Sequence, residues 1–490
     1  MTFKINDSKW DRAFESRGSF QHNRGVLVKL FPFASDKIEM KESVPDIDTF
    51  RGVTGEFYRA SHGMTYQRHV PKDQLIDRII ADVETTQAEQ LKLIISSLIF
   101  NENDDLFLFS AETLRHLTFQ YKNAKLALLQ DFVINLLMDP EVKALIQNAS
   151  GDTQENILYK LVLEQLHSAV ETKPREQDAS GAYQGELVMK VRELFKEDLR
   201  NLSTLKEFYI HHVSLLIKYY VFHYITQQSM FLADAFESPK ERYPLFFTLN
   251  WEKLSRSRYA LEHGWKKLET IATPLFAHTN TLELLNTIDF PAKFSRLQQP
   301  FTYRELRATV LEMSEEDEKD LAILIHHLIK KYQAKLPDVH WDQFSEQYQP
   351  PESGDYVERH SLRLVHELFQ MMRFQFPKYG RVDAYNSYAN WFKTYAKSGF
   401  YKLRGGLGGT LKIDRDLLLL LTELAVMSEN KDKILITTLW EQLERRGVFF
   451  DDKTKRAVVT FFGKINTLEK KSDSGDAQYV KRLYKESDGK

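Results

Sequence analysis

Apolar residues recur at helical spacing along most of the chain. The clearest early stripe has spacings of 1, 4, 5 and 8 from its first residue, which is the pattern of a helix with one buried face. It comprises Leu75, Ile76, Ile79, Ile80 and Val83. The stretches AEQLKLIISSLIF and NAKLALLQDFVINLLM continue the pattern. Because residues 1–71 show no sustained period, the sequence predicts an irregular N-terminal segment over 1–71 and a helical domain over 72–180.

Polar stretches that contain proline or glycine divide the rest of the chain. ETKPREQDASG, at 171–181, has the composition of a surface loop or a domain boundary. Helical spacing returns after it, and NLS at 201–203 is the predicted break in a long helix, with Ser203 as the cap of the next helix. We therefore predict a second helical domain over 181–400, with a short strand near 245–251 in LFFTLNW.

The C-terminal end alternates short helical and extended patterns. DRDLLLLLTELAVM, from Asp414, predicts a capped and largely buried helix. KILI predicts a strand, and LWEQLERRG a second helix that is capped by Thr437 or Thr438 and ended by Gly447. KTKRAVVTFFGKINTL then predicts a third helix, capped by one of the two aspartates before it.

A charged hairpin is predicted after the third helix, in LEKKSDSGDAQYVKRLY at 468–484. A two-stranded ribbon is marginal in water by itself, so this hairpin is expected to rest on a helical core. The order helix, strand, helix, helix, hairpin is that of a winged-helix domain. The predicted fold class is therefore mainly α, with a multi-helical body and a C-terminal winged-helix (α+β) domain over 401–484.

The third helix has two faces of opposite character. Its predicted core stripe is Val458, Phe461, Phe462 and Ile465. A helix with a cationic outer face can lie in a major groove, and lysines on the hairpin can reach neighbouring phosphates. The candidate DNA-binding residues are Lys453, Lys455, Arg456, Thr460, Lys464, Lys470, Lys471, Lys481 and Arg482. Two alternatives stay open, a protein-binding surface and a merely solvated face.

Charge and composition sharpen this picture. The 490 residues are 42% apolar and 28% charged, as in ordinary globular proteins. The net charge is −2, yet residues 400–490 hold 18 Lys and Arg against 14 Asp and Glu, so the C-terminal end is the basic end. The N-terminus MTFKINDSKWDRAF has no apolar run of signal-peptide length, and Lys218 interrupts the most apolar helix. We expect a cytoplasmic protein without a membrane partner.

Candidate catalytic chemistry is weak throughout the sequence. Cysteine is absent, which excludes disulfides, thiolate zinc sites and Cys nucleophiles. RGGLGG at 404–409 lacks the Gly-Lys-Ser/Thr of a phosphate loop and is better interpreted as a hairpin. The adjacent pairs His211–His212 and His326–His327 point about 100° apart on a helix, so they do not easily share a metal. No cofactor and no enzyme activity are predicted, and a nuclease with an unrecognised site is a third hypothesis.

One further basic stretch is WEKLSRSRYALEHGWKK at 251–267. Its residues Ser255 to Arg258 stand where a helix would begin, and the basic side chains among them could meet phosphate. Local capping and solvation are the favoured interpretation of this stretch.

Two stretches carry a resemblance to a known family. LLLLLTELAV with LWEQLERRGVFFDDKTKRAVVTFFGKINTLEKKSDSGDAQYVK, and the earlier LFFTLNWEKLSRSRYALEHGWKKLE, resemble the DNA phosphorothioation-dependent restriction protein DptG family. The resemblance implies a bacterial defence system in which the chain works with ATPase and helicase-like subunits, and it carries over no catalytic residue. The expected role is a non-catalytic subunit that contacts double-stranded DNA. The alternative is a scaffold whose winged helix binds a partner protein.

Overall fold

Helices dominate the part of the chain that the structure describes. The structure is a computed structural model. It describes residues 3–22, 25–32, 46–69, 72–81, 83–101, 106–118, 124–150, 160, 162–166, 170–175, 183–237, 240–352, 354–470 and 477–484. The prediction of a mainly helical chain is thereby confirmed.

The helices fall into three successive groups. The first group is Asp7–Phe14, Arg51–Ser61, Lys72–Ala81, Ala88–Ile99, Ala124–Leu137 and Pro140–Ser150. The second group is Glu186–Ser203, Lys206–Ala233, Tyr259–Glu262, Trp265–Ala272, Leu275–Leu285, Tyr303–Leu311, Glu315–Ala334, Trp341–Gln347, Asp355–Glu358, His360–Lys378, Val382–Tyr388 and Asn390–Lys397. The third group is Arg415–Ser428, Ile436–Arg445 and Asp452–Lys464. Short 3₁₀ turns lie at Ala111–His116, Ala292–Phe294 and Gly405–Leu407.

The strands are short and pair in small sheets. Antiparallel pairs join Lys4–Ile5 to Ile288–Asp289, Glu15–Ser16 to Ser19–Phe20, and Met64–His69 to Val170–Pro174. A three-stranded sheet contains Thr248–Leu249, Gly409–Ile413 and Tyr401–Leu403 in that order. A second contains Lys433–Leu435, Gln478–Lys481 and Leu468–Lys470 in that order. The strand predicted near 245–251 and the hairpin predicted at 404–409 are therefore both present.

The N-terminal segment is more regular than the sequence pattern suggests. It contains the helices Asp7–Phe14 and Arg51–Ser61. The second of these is buried on nearly every side, including Glu56 and Arg59. A helix that is buried on all sides has no polar face, so its sequence does not show the helical alternation of apolar and polar residues.

Two hydrophobic clusters hold the described residues together. The larger one extends from Trp10 to Val480 and so includes the C-terminal elements. The smaller one includes Leu75 and Ile79 of the predicted stripe, together with Ile95. The domain boundaries drawn from the sequence stay predictions, because shared burial does not by itself define a folding unit.

The long helical region breaks where the sequence predicts it. The helix Glu186–Ser203 ends there, and two residues separate it from the helix Lys206–Ala233. Ser203 is not the cap of the second helix, because its hydroxyl donates to the Arg200 carbonyl at 2.8 Å. The residue before Lys206–Ala233 is Leu205, which makes no side-chain cap bond.

Candidate nucleic-acid interface

The helix Asp452–Lys464, called here the outer helix, is the centre of the candidate interface. Asp451 caps it, with its carboxylate accepting the Thr454 N–H at 2.9 Å. Val458 and Phe462 are fully buried against the core, as their spacing predicts. Ile465 was predicted to be in the same stripe, but it is 38% exposed because the helix has ended and this residue is its C-cap.

The solvent side of the outer helix is cationic. Lys453, Arg456, Thr460 and Lys464 are all exposed, and at 100° per residue they lie within about 80° of arc. Within the described residues, neither the two lysines nor the arginine pairs with a carboxylate. The Thr460 hydroxyl donates to the Arg456 carbonyl at 2.9 Å. Three unneutralised cations on one face are what a polyanion would contact.

Two candidate residues have protein partners instead. The Lys455 ammonium is 3.5 Å from the Glu444 carboxylate and lies over the Trp440 ring. Lys455 is about 160° around the helix from Lys453. Arg482 donates through Nε to Glu423 at 2.9 Å, and Glu423 has no solvent exposure. Both cations hold C-terminal elements together, which neither spacing nor composition reveals.

The hairpin after the outer helix presents a second group of cations. Lys470 is exposed at the end of its strand, and Lys481 is half-buried and lies opposite Lys433 in the register of the sheet. Lys433 is paired with Glu469 at 2.6 Å, whereas Lys470 and Lys481 make no ion pair with a described residue. Lys471 lies outside the described residues, as does the predicted turn DSGD.

The predicted caps of the other two C-terminal helices are absent. Asp414 stands at the N-cap of Arg415–Ser428, but its carboxylate makes no cap bond and accepts from Asn250 Nδ2 at 2.5 Å. Leu435, rather than a threonine, precedes Ile436–Arg445. Gly447 does end this helix, with φ of 88° and its N–H donating to the Glu444 carbonyl at 2.9 Å.

An arginine from the helical body fixes the start of the outer helix. Arg258, only 4% exposed, donates through Nε and Nη2 to the two carboxylate oxygens of Asp451 at 2.9 and 2.8 Å. Its Nη1 donates to Glu252 at 2.6 Å. Burial acts to raise the pKa of Asp451, but the hydrogen bonds from Arg258 and from the Thr454 amide outweigh it and hold that pKa below its ordinary value. The sequence favours local capping and solvation for residues 255–258, but Arg258 is buried and bound to Asp451, so for this residue that interpretation is wrong.

The described residues contain no group of three or more His, Asp or Glu arranged to hold a metal ion. Among the helices in the same ranges, none combines the length and the apolar character needed to cross a bilayer.

No protein-family model matches the chain, and no curated protein matches it.

Proposed function

We propose that the chain is a non-catalytic accessory subunit of a bacterial DNA restriction complex, with a C-terminal winged-helix domain that contacts double-stranded DNA. The observation that carries this proposal is the cationic face of the outer helix, formed by Lys453, Arg456 and Lys464, none of which pairs with a carboxylate of a described residue. Lys455, on the other side of the same helix, is paired with Glu444, so the cations without such a pair are concentrated on the solvent side.

The arrangement of elements supports the same proposal. The outer helix is followed by the hairpin Leu468–Lys470 and Gln478–Lys481, whose second strand pairs with Lys433–Leu435. This is the order of a winged helix, in which the third helix enters a groove and the hairpin lies beside it. Contact through phosphates alone would be independent of the DNA sequence, which suits a subunit that works with ATPase and helicase-like partners.

The salt dependence of DNA binding tests the proposal. Neutralising a phosphate releases counterions, so log K falls with log salt at about 0.9 per contact. We expect the triple variant Lys453→Ala, Arg456→Ala, Lys464→Ala to lower that slope by about 2 to 3 in a polarisation titration of a labelled duplex. Equal affinity and equal slope for the variant and the unmodified chain would remove DNA from the proposal.

A matched control variant distinguishes the effect of where cations are removed from the effect of how many are removed. Lys319 and Lys330 are exposed on Glu315–Ala334, which packs on His360–Lys378, and Arg296 is exposed between Ala292–Phe294 and Tyr303–Leu311. Replacing these three with alanine removes the same charge away from the outer helix. The control variant should retain the slope of the unmodified chain within about 0.5.

A protein-binding role is the second candidate. Leu435 and Ile465 are apolar residues of the same C-terminal elements, 40% and 38% exposed, and such positions suit a protein partner better than phosphate. Under this alternative, Leu435→Ser with Ile465→Ser releases a purified ATPase or helicase-like partner in a pull-down. The outer-helix triple variant would then also lose that partner, while the free chain binds no DNA at any salt concentration.

A further inference from the structure

Residues 250–258, called here the bridging loop, run along one side of the outer helix. At one end of the loop, the Trp251 and Phe461 ring centroids are 5.1 Å apart. At the other end, Arg258 binds Asp451. Asp451 precedes the first turn of the outer helix and Phe461 lies in its last turn. The bridging loop therefore runs beside the helix for about 15 Å.

The bridging loop packs along the edge of the buried side of the outer helix that is nearest to Lys453 and Lys464. It contacts the buried residues Phe461 and Thr454 of the helix, and the Thr454 hydroxyl donates to Glu252 at 3.1 Å. Both lie about 80° to 100° around the helix from Lys453, whereas the buried Phe462 lies about 180° from it. Side chains that project from the loop into solvent are thus neighbours of the cationic face.

Two such side chains are cations, and a third cation, from a neighbouring helix, contacts Trp251 of the loop. Lys253 and Arg256 are exposed on the bridging loop, and neither pairs with a carboxylate of a described residue. Arg415, also exposed and without such a pair, begins the helix Arg415–Ser428. Its guanidinium lies 5.3 Å from the centroid of Trp251 and 5.9 Å from that of Phe461. Cation–π contacts of this kind hold a guanidinium in place while its N–H groups stay available to an anion.

Residues of the hairpin Tyr401–Leu403 and Gly409–Ile413 hold the start of the bridging loop in place. Arg404 donates to the carbonyl oxygens of Leu249, Asn250 and Glu252 at 2.7, 3.2 and 2.9 Å. Lys402 donates to the Asn250 carbonyl at 2.6 Å. These bonds hold the backbone of residues 249–252 without a ligand, so binding does not have to order the start of the loop.

We infer that Lys253, Arg256 and Arg415 form a second row of phosphate contacts, parallel to the outer helix, for the same DNA duplex. The inference rests on the proposed function. It makes the interface composite, since the bridging loop belongs to the helical body and only Arg415 and the outer helix belong to the C-terminal elements. Trp251 is a positioning residue in this arrangement, because it acts on DNA through Arg415.

The test is a polarisation titration of the full chain with a labelled duplex at several salt concentrations. The triple variant Lys253→Ala, Arg256→Ala, Arg415→Ala should lower the salt slope by about 2 to 3 while the outer helix is intact. Its circular dichroism and thermal midpoint should match those of the unmodified chain, because none of the three side chains is buried. The control variant at Arg296, Lys319 and Lys330 should keep the slope.

The outcomes separate this inference from the proposed function. If the unmodified chain does not bind the duplex, the proposed function fails and the second row fails with it. If the outer-helix triple variant loses affinity while the bridging-loop triple variant keeps the full slope, the second row alone is wrong. Loss of a partner protein by the bridging-loop variant, without a change in slope, would assign the loop to a protein interface and overturn the inference.

The positioning role of Trp251 has its own readout. Trp251→Ala should reduce affinity as much as Arg415→Ala does, and Trp251→Phe should restore it because a ring remains for the guanidinium. In an Arg415→Ala background, Trp251→Ala should add no further loss. An equal additional loss in that background would mean that the ring contacts DNA by itself or supports the fold.

Discussion

Arg446 and Asp198 form an ion pair in which neither side chain is exposed to solvent. Arg446 Nε donates to Asp198 Oδ2 at 2.9 Å, and the Tyr220 hydroxyl donates to the same oxygen at 2.5 Å. The Arg446 carbonyl accepts from Tyr219. The pair joins the end of Ile436–Arg445 to the body of the protein, so the C-terminal elements are anchored to it.

Removing one partner of this pair should destabilise the chain strongly. Asp198→Ala leaves the Arg446 guanidinium buried without its carboxylate, at a cost of about 3 to 5 kcal/mol. Asp198→Leu with Arg446→Met should cost much less, since it leaves no unpaired buried charge. Urea unfolding of the single and double variants measures the difference. A cost below about 1 kcal/mol for Asp198→Ala would show that water reaches the site.

The sequence predicts much of the local structure of this protein, but it does not predict ion pairs between residues that are distant in sequence. Periodicity and turn residues predict the outer helix, the hairpin and the stop at Gly447, because each depends on residues close in sequence. Nothing in the ERR motif at 444–446 distinguishes Arg446 from Arg445, yet Arg446 is fully buried and pairs with Asp198, 248 residues away. The same limit applies to Arg258, for which the sequence favours capping and solvation and whose partner Asp451 lies 193 residues away.

Two glycines of the C-terminal elements should respond in opposite ways to alanine. Gly447 has φ of 88°, and an added Cβ would lie 2.3 Å from Nδ1 of His223. Left-handed strain and overpacking together should cost about 2 to 4 kcal/mol in Gly447→Ala. Gly463 is exposed in the outer helix with open space around it, so Gly463→Ala should stabilise by about 0.5 to 1 kcal/mol. Thermal midpoints of the two variants check both signs, and a stable Gly447→Ala variant would mean that His223 moves freely.

Glu283 makes the stability of the N-terminal packing depend on pH. Its buried carboxylate accepts the N–H groups of Leu27 and Val28 at 2.9 and 2.8 Å. Burial raises the pKa of Glu283 from 4.5 to about 7, although those two hydrogen bonds act to lower the pKa. The folded chain therefore binds a proton between pH 4.5 and 7 that the unfolded chain has released, and stability falls as pH rises through this window.

Glu283→Gln isolates this contribution, because the amide resembles the protonated acid and does not titrate. The free energy of unfolding of the variant, minus that of the unmodified chain, should increase by about 3 kcal/mol between pH 4.5 and 8. Other titrating groups cancel in the difference. Urea midpoints at both pH values provide the measurement, and a difference that is constant with pH would refute the raised pKa.

Arg404→Ala should weaken DNA binding without removing a phosphate contact. The half-buried Arg404 guanidinium donates to the carbonyl oxygens of Leu249, Asn250 and Glu252, so it holds the start of the loop in place. Without it the loop has to be ordered on binding, which costs about 1 kcal/mol, or roughly fivefold in affinity. The salt slope should not change, because the slope counts phosphates and the number of contacts is the same. A salt slope that falls by about 1 would instead make Arg404 a direct phosphate ligand. An unchanged affinity would mean that the bond from Lys402 to the Asn250 carbonyl is sufficient to hold the loop.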